Sequence, residues 1–302
     1  MGIPASEAEW SPAPVGASSG PPALPVSTWI LQHAAAEVLR EVAARCDAAS
    51  IPFLPVKGVV TSRLLYSDMA ERPMTDVDVR VRPRDLRALQ RVAAAAGWRC
   101  TRVLRSYRNL TYDFGSLSLD VEAGVGPPGL CALGVDAMLG RSVSTELAPG
   151  CRVSVPELHD HAVLLTVNVF KDKIVAAQPW ALADLERVVA HADFRLDRFV
   201  ERVRESRIAT IAWIVAAWME SARRSEAWGR VRAAIESRGP VRRAYAGLIT
   251  RRLSDAARAP MSLRLLARVG ADSRRMQLDA LLRAAACVVE LAMREALPHG
   301  RS

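Results

Sequence analysis

The chain has 302 residues, half of them apolar, which is enough for one large domain or two modest ones with real cores. Its 41 basic residues against 32 acidic leave a net charge of +9, which suits an anionic partner but speaks to steering and solubility, not to fold. The five cysteines are scattered, with no CxxC pair and no Cys/His spacing for zinc, so they read as reduced, mostly structural thiols of a cytoplasmic protein.

Residues 1–26 are rich in Pro, Ala, Ser and Gly without periodicity, and read as a flexible tail. They carry no charged region followed by an apolar run, so no secretory signal is expected. From Ser27, a possible cap, to about Ala49 the apolar residues Ile30, Leu31, Ala34, Val38, Leu39 and Val42 recur on one helical face. Phe53 to Val56 is a short strand, and Lys57-Gly58 opens a second helix with Val60, Leu64 and Leu65 on its apolar side. Met74 to Val81 reads as a strand, and Pro83 starts a helix that ends at Gly97. Three strand-like runs follow, Trp98–Val103, Leu110–Phe114 and Leu117–Glu122, and the chain then breaks at "GVGPPG".

From Pro156 onward the pattern is helical: Pro156–Phe170, Trp180–His191, Asp193–Val203 and Ile208–Glu220, with Arg-rich amphipathic stretches to about Leu297. The most apolar run, Ile208 to Met219, is too short to span a bilayer and reads as a buried core helix, so no membrane partner is expected. The fold class is α/β (α+β), divided as a 1–26 tail, a 27–155 α/β domain and a 156–302 helical domain.

The stretch "ERPMTDVDVRV" interrupts a strand with two aspartates. Residues i and i+2 of a strand face the same way, so Asp76 and Asp78 project together while Val77, Val79 and Val81 pack the other side. Two adjacent carboxylates raise each other's pKa unless a cation intervenes. Mg²⁺ suits that pattern, taking one or two carboxylates plus substrate phosphates. "SLSLDVEAG" offers further acids, Asp120 and Glu122, on one face of a second strand. A solvated strand paired with Arg72, Arg80 or Arg82 would look the same at this level. Gly58 at a helix start would allow phosphate to approach backbone N–H groups, with Lys57 as a point charge, although an ordinary turn with a solvated lysine fits equally. Only three of the basic residues are lysines, and two of them, Lys171 and Lys173, end the first helix of the second half. They complement that helix's dipole or reach a triphosphate across the cleft.

In order, Lys57-Gly58, Tyr66-Ser67-Asp68, Arg72, Asp76-Val77-Asp78, Pro83 and Gly97-Trp98, followed by "SLDVEAG", "VPELHDHAVLLTVNVFKDK" and "QPWALADLERVV", resemble the uncharacterised nucleotidyltransferase family of the polymerase-β-like superfamily over roughly residues 50–190. The resemblance implies a mixed sheet followed by a helical bundle. It implies transfer of a nucleoside monophosphate from an NTP to an acceptor hydroxyl, with release of pyrophosphate. Asp76 and Asp78 would bind Mg²⁺ (or Mn²⁺), with Asp120 as third acid aligning the acceptor. Lys57, Gly58, Arg72, Lys171 and Lys173 would contact nucleotide. Glu122 stands where relatives often carry His, so either Asp120 or Glu122 could complete the metal site. The acceptor, a small molecule in the first instance, could also be a protein or RNA. Two other readings stand beside this one. One is an NTP-binding regulatory protein with a degenerate site. The other is an RNA-modifying or toxin-like transferase that uses the Arg-rich 223–284 region.

Overall fold

The computed structural model describes residues 26–173, 179–235, 239–255, 266–267 and 269–296. Apart from Val26, the expected tail lies outside them. The first helix, α1 (Val26–Ala48), buries Val38, Leu39 and Val42 of the face predicted from sequence, with Ala35 beside them, while Ile30 of that face is exposed. Strand β1 (Phe53–Val56) leads through Lys57 into α2 (Gly58–Leu65), and β2 (Asp76–Val81) follows. Pro83 opens a short 3₁₀ turn that continues as α3 (Leu86–Ala95), and Gly97, at φ +73°, ends it in a backbone conformation that suits glycine. Strands β3 (Arg99–Leu104), β4 (Asn109–Asp113) and β5 (Ser118–Glu122) complete a five-stranded sheet in the order β1-β2-β5-β4-β3. Trp98 packs edge-on against Tyr112 and Phe114 and fixes the start of β3 over β4.

The sheet is mixed. β2 runs parallel to β5, and the other pairs are antiparallel. Two registers place the functional face. Asp78 lies opposite Asp120 and Arg80 opposite Glu122. On the other side Val56, the last residue of β1, lies opposite Asp78, so the chain leaving β1 turns beside that aspartate. Val77, Val79, Val81, Leu119 and Val121 are buried on the reverse face, which is why this polar strand still folds as a core strand.

Between the sheet and the helical half lie a short helix, α4 (Val135–Gly140), and a separate hairpin, β6 (Val143–Ala148) with β7 (Cys151–Val155), closed at Pro149-Gly150. No elements were expected there. β6 is rich in Ser, Thr and Glu, and its alternation is too weakly apolar to stand out. The helical half contains α5 (Leu158–Asn168), α6 (Pro179–Ala190), α7 (Leu196–Glu205), α8 (Ala209–Arg223), α9 (Glu226–Ala234), α10 (Gly239–Asp255) and α11 (Arg274–Ala296). α8 is the buried core helix expected from its composition. No helix among the described residues is long and apolar enough to cross a membrane. β7 ends at Val155 and α5 begins at Leu158, and a continuous apolar cluster runs from the sheet into the helices that follow.

A buried polar staple joins the halves. Arg72, before β2, donates through Nε and Nη2 to both carboxylate oxygens of Asp184 on α6 at 2.8–3.1 Å, and the Tyr66 hydroxyl donates to the same carboxylate at 2.7 Å. Gln32 of α1 donates to the carbonyls of Met69 and Arg72, holding the same loop from the other side. Breaking a buried ion pair leaves a charge without its partner, so Asp184→Ala or Arg72→Ala should each lower the unfolding free energy by about 3–5 kcal/mol. The apolar double replacement Arg72→Met with Asp184→Leu should cost less than the two single changes together. Chemical denaturation checks this, and single variants that unfold at the wild-type midpoint would show the staple to be dispensable.

Candidate active site

The parallel β2–β5 pair brings Asp76, Asp78, Asp120 and Glu122 onto one face of the sheet. A cleft of about 250 Å³ opens there, lined among others by Lys57, Asp76, Arg102, Asp120, Glu122 and Lys171. Asp78 does not line it. Its carboxylate is 3% exposed and is held by the Lys57 ammonium, with Nζ 2.6 Å from Oδ1. Asp120 accepts a hydrogen bond from the Thr111 hydroxyl on β4 at 2.7 Å, and Arg102 of β3 stands 3.9 Å from the same oxygen.

The turn that carries Lys57 is strained. Lys57 caps α2 at φ +51°, a region a residue with a Cβ rarely occupies. Gly58 then passes tightly over β2: a Cβ there would sit 3.3 Å from Met74 Cε and 3.4 Å from the Asp76 carbonyl oxygen. That close pass sets the ammonium onto Asp78. Burial alone would depress the Lys57 pKa, but the Asp78 and Glu122 carboxylates overcome it and hold the group charged, above its ordinary value.

Among the described residues Asp76 has no such partner. Burial first, and then the neighbouring Asp78 charge, push its carboxyl up to about 6 against the pull of Lys57, and Asp120 adds to the rise. Glu122 behaves in the opposite way. Burial would raise it, yet Arg80, Lys171, Lys57 and Arg102 together hold it well below the usual carboxylate range.

The sequence-level candidates separate into two groups. Lys57, Asp76, Asp78, Asp120, Glu122 and Lys171 converge. Lys171 arrives from a π-helical turn, Val169–Lys173, that extends α5, and its Nζ lies 4.0 Å from Glu122. Glu122 is engaged mainly by Arg80, whose Nη2 is 2.9 Å from it and whose side chain is 1% exposed. Arg72 is committed to Asp184 and not to Asp76. The Lys173 side chain lies outside the described residues. Sequence reasoning cast Arg80 only as a possible partner of the aspartates and missed Thr111 and Arg102. Arg80 could have been found from its i+2 spacing to Asp78, but Thr111 and Arg102 sit on other strands and needed the sheet order. His161 on α5 is fully buried, and its Nε2 lies 3.0 Å from the Thr61 hydroxyl. Burial drives its pKa down to about 3, so it stays neutral.

Among the described residues, no group of three or more His, Cys, Asp or Glu side chains converges closely enough to form a metal cage. A hard divalent ion that relies on substrate phosphates needs only one or two carboxylates. The oxygen donors of Asp76 and Asp78 would suit such an ion: burial and the Asp78 charge leave Asp76 short of positive charge, and among the described residues the cation at hydrogen-bond distance from Asp78 Oδ1 is a lysine.

The Asp76 shift has a measurable consequence. In the unfolded chain the group titrates near 3.8, and in the folded chain at about 6. Between those values the folded state binds the extra proton. Folding therefore gains most at the acid end, and the gain is lost as pH rises through about 6. In metal-free buffer, Asp76→Asn should become progressively more stable relative to wild type across that window, read from denaturation midpoints. Parallel stability–pH curves would rule out a raised Asp76.

Residues 30–221 match the model of a family described as uncharacterised nucleotidyltransferase. Among solved structures, the solution structure of the antibiotic-resistance factor ANT(2'')-Ia is similar at 17% identity, covering 70% of this chain and 94% of its own, with a TM-score of 0.35. The crystal structure of ANT(2'')-Ia in complex with adenylyl-2''-tobramycin is similar at 16% identity, covering 67% and 97%, with a TM-score of 0.33. Likeness at that level says nothing about substrate. No curated protein gives a match. The family match takes in the whole acidic sheet face and runs on into α8, and on that ground the chain belongs to the uncharacterised nucleotidyltransferase family.

Proposed function

We propose that the enzyme transfers a nucleoside monophosphate from an NTP to an acceptor hydroxyl, with Asp76 and Asp78 holding a divalent cation, Mg²⁺ or Mn²⁺, and Asp120 serving the acceptor. The observation that carries this reading is the β2–β5 register, which sets the buried Asp78 against Asp120 directly beneath a cleft lined by Asp76, Asp120, Lys57 and Lys171. When bound, the cation would neutralise charge on the triphosphate and draw it onto Asp76 and Asp78.

The chain's own groups account for the rest. Lys57 and Lys171, both lining the cleft, supply positive charge to the phosphates, and Gly58 leaves room for the strand-to-helix turn to lie close to them. Asp120, oriented by Thr111, accepts a hydrogen bond from the acceptor hydroxyl and takes its proton. The acceptor oxygen forms a bond to the α-phosphorus as the bond to the departing pyrophosphate breaks. Glu122 is better cast as the residue that positions Arg80 and Lys171 than as a metal ligand, because its charge is already met. Arg72 and Asp184 hold the loop that leads into β2 and do not touch nucleotide in this reading. The acceptor is a small molecule, a protein side chain or an RNA end.

Asp76→Ala and Asp78→Ala should each reduce NMP transfer by about 10³-fold or more, with far-UV circular dichroism unchanged. Pyrophosphate release from each NTP, with cell extract supplying the acceptor, is the readout. Wild-type transfer by the double variant would overturn the assignment.

Lys57→Met should act in two opposite directions. It should raise KM for the NTP about tenfold, the loss of one modest charge contact. Without nucleotide it should tighten Mn²⁺ binding, read by electron paramagnetic resonance, because Asp78 is released. Equal Mn²⁺ affinity in wild type and variant would show that the lysine does not compete for that carboxylate.

A further inference from the structure

A second and wider cavity lies outside the cleft described above. It is a groove of about 1490 Å³ between α3, the β3–β4 hairpin and the C-terminal helix α11. Its floor is apolar, with Val103 and Leu104 on one side and Val289 and Met293 on the other. Its rim carries Arg84, Arg87, Arg105 and Arg108. Arg84 pairs with Asp136, while the guanidinium groups of Arg87, Arg105 and Arg108 have no carboxylate within ion-pair distance among the described residues.

The wall formed by α11 is fixed in place. Glu290 accepts hydrogen bonds from the backbone N–H groups of Arg105 and Ser106 and from the Ser106 hydroxyl, at 2.9–3.2 Å. At the other end of the helix, Gly129 meets the α11 backbone so closely that a Cβ there would lie 2.5 Å from Ala280 N. Held in this way, α11 turns an apolar stripe outward. Leu282, Val289 and Met293, at helical spacings of seven and four, are 61%, 57% and 61% exposed. Monomeric proteins rarely leave such a stripe uncovered.

We infer that this groove docks an acidic, amphipathic segment of a partner protein, its apolar side chains on Val289 and Met293 and its carboxylates on Arg87, Arg105 and Arg108. Charge complementarity selects this occupant. A second copy of the chain facing the same groove would bring two arginine rims together, in a molecule that already carries +9. Single-stranded nucleic acid would meet the arginines but find no aromatic side chain among the described residues that line the groove for its bases. A small ligand needs only about 300–1,000 Å³. An amphipathic helix in an apolar groove with a charged rim is a recurrent mode of peptide recognition. The groove shares Leu104 and Asn109 with the acidic cleft, so a docked segment lies alongside the proposed active site. The inference itself does not depend on transfer chemistry.

The test uses the full chain and a fluorescein-labelled helical peptide of about 18 residues, long enough to hold a helix. The peptide carries Leu on one face and Glu elsewhere, and a control carries Lys in place of Glu. In fluorescence anisotropy the Glu peptide should bind with Kd of tens of micromolar and the Lys peptide at least about tenfold more weakly. Added salt should weaken the Glu peptide. The triple change Arg87→Glu, Arg105→Glu, Arg108→Glu and the pair Val289→Ser, Met293→Ser should each weaken it about tenfold. All five residues are exposed, so both variants should keep the wild-type melting profile. Equal binding of the two peptides, or none of either, overturns the inference. So does a dimer in sedimentation that Val289→Ser with Met293→Ser dissociates, or binding of single-stranded RNA that the triple arginine change abolishes in place of peptide binding.

Discussion

Like charges on one sheet face are the constraint around which the site is arranged. Pairing β2 parallel to β5 sets Asp78 against Asp120, with Asp76 two residues away on the same side. At an effective dielectric of about 20, two such charges about 4 Å apart repel by about 4 kcal/mol. A whole domain is stable by only about 5–15 kcal/mol, so the chain cannot leave several of these repulsions unanswered. Lys57 answers Asp78, Arg80 answers Glu122 and stands 3.8 Å from Asp78, and Lys171 reaches Glu122 from the helical half. Asp76 is the carboxylate left short of a counter-charge, and its raised pKa reports that shortage.

The same balance explains why the helical half matters to a site built on strands. Lys171 exists at the cleft only because α5 continues through a wide turn at its C-terminal end. Three polar contacts fix α5 and α6 relative to α2 and the loop that leads into β2: Thr61 to His161, Tyr66 to Asp184 and Arg72 to Asp184. Since His161 is held neutral and Arg72 is held charged, these contacts do not change character near neutral pH. They are suited to keeping a lysine in register with a carboxylate on another element.

Strain is placed where the chemistry is proposed. Lys57 takes a backbone conformation that costs a non-glycine residue of the order of 1–3 kcal/mol. The compensation is visible in its surroundings: Gly58 permits the close pass over β2, and the ammonium gains a buried carboxylate. In the proposed reaction Asp78 would thus be masked by Lys57 until an incoming triphosphate offered the lysine a second anion and freed the carboxylate for a cation.

The sequence by itself determined the local elements and the presence of an acidic strand face. Alternating valines about Asp76 and Asp78, Pro83 and Gly97 at the ends of one helix, and the long apolar periodicities of α1, α5 and α8 are short-range signals, and short-range physics carries them into the fold. It also determined membership in the family, because the order Lys-Gly, Asp-Val-Asp and Leu-Asp-Val-Glu is a linear property. Only the tertiary structure decided which charges meet. Arg72 lies four residues from Asp76 yet is drawn to Asp184, more than a hundred residues away, because the packing of α6 brings a buried carboxylate to it. Glu122 is claimed by Arg80 because a parallel register, which no single strand encodes, sets them side by side. The β6–β7 hairpin and the outward stripe of α11 were likewise invisible from one dimension, since a weakly apolar strand and an apolar helix face acquire meaning only from what does, or does not, cover them.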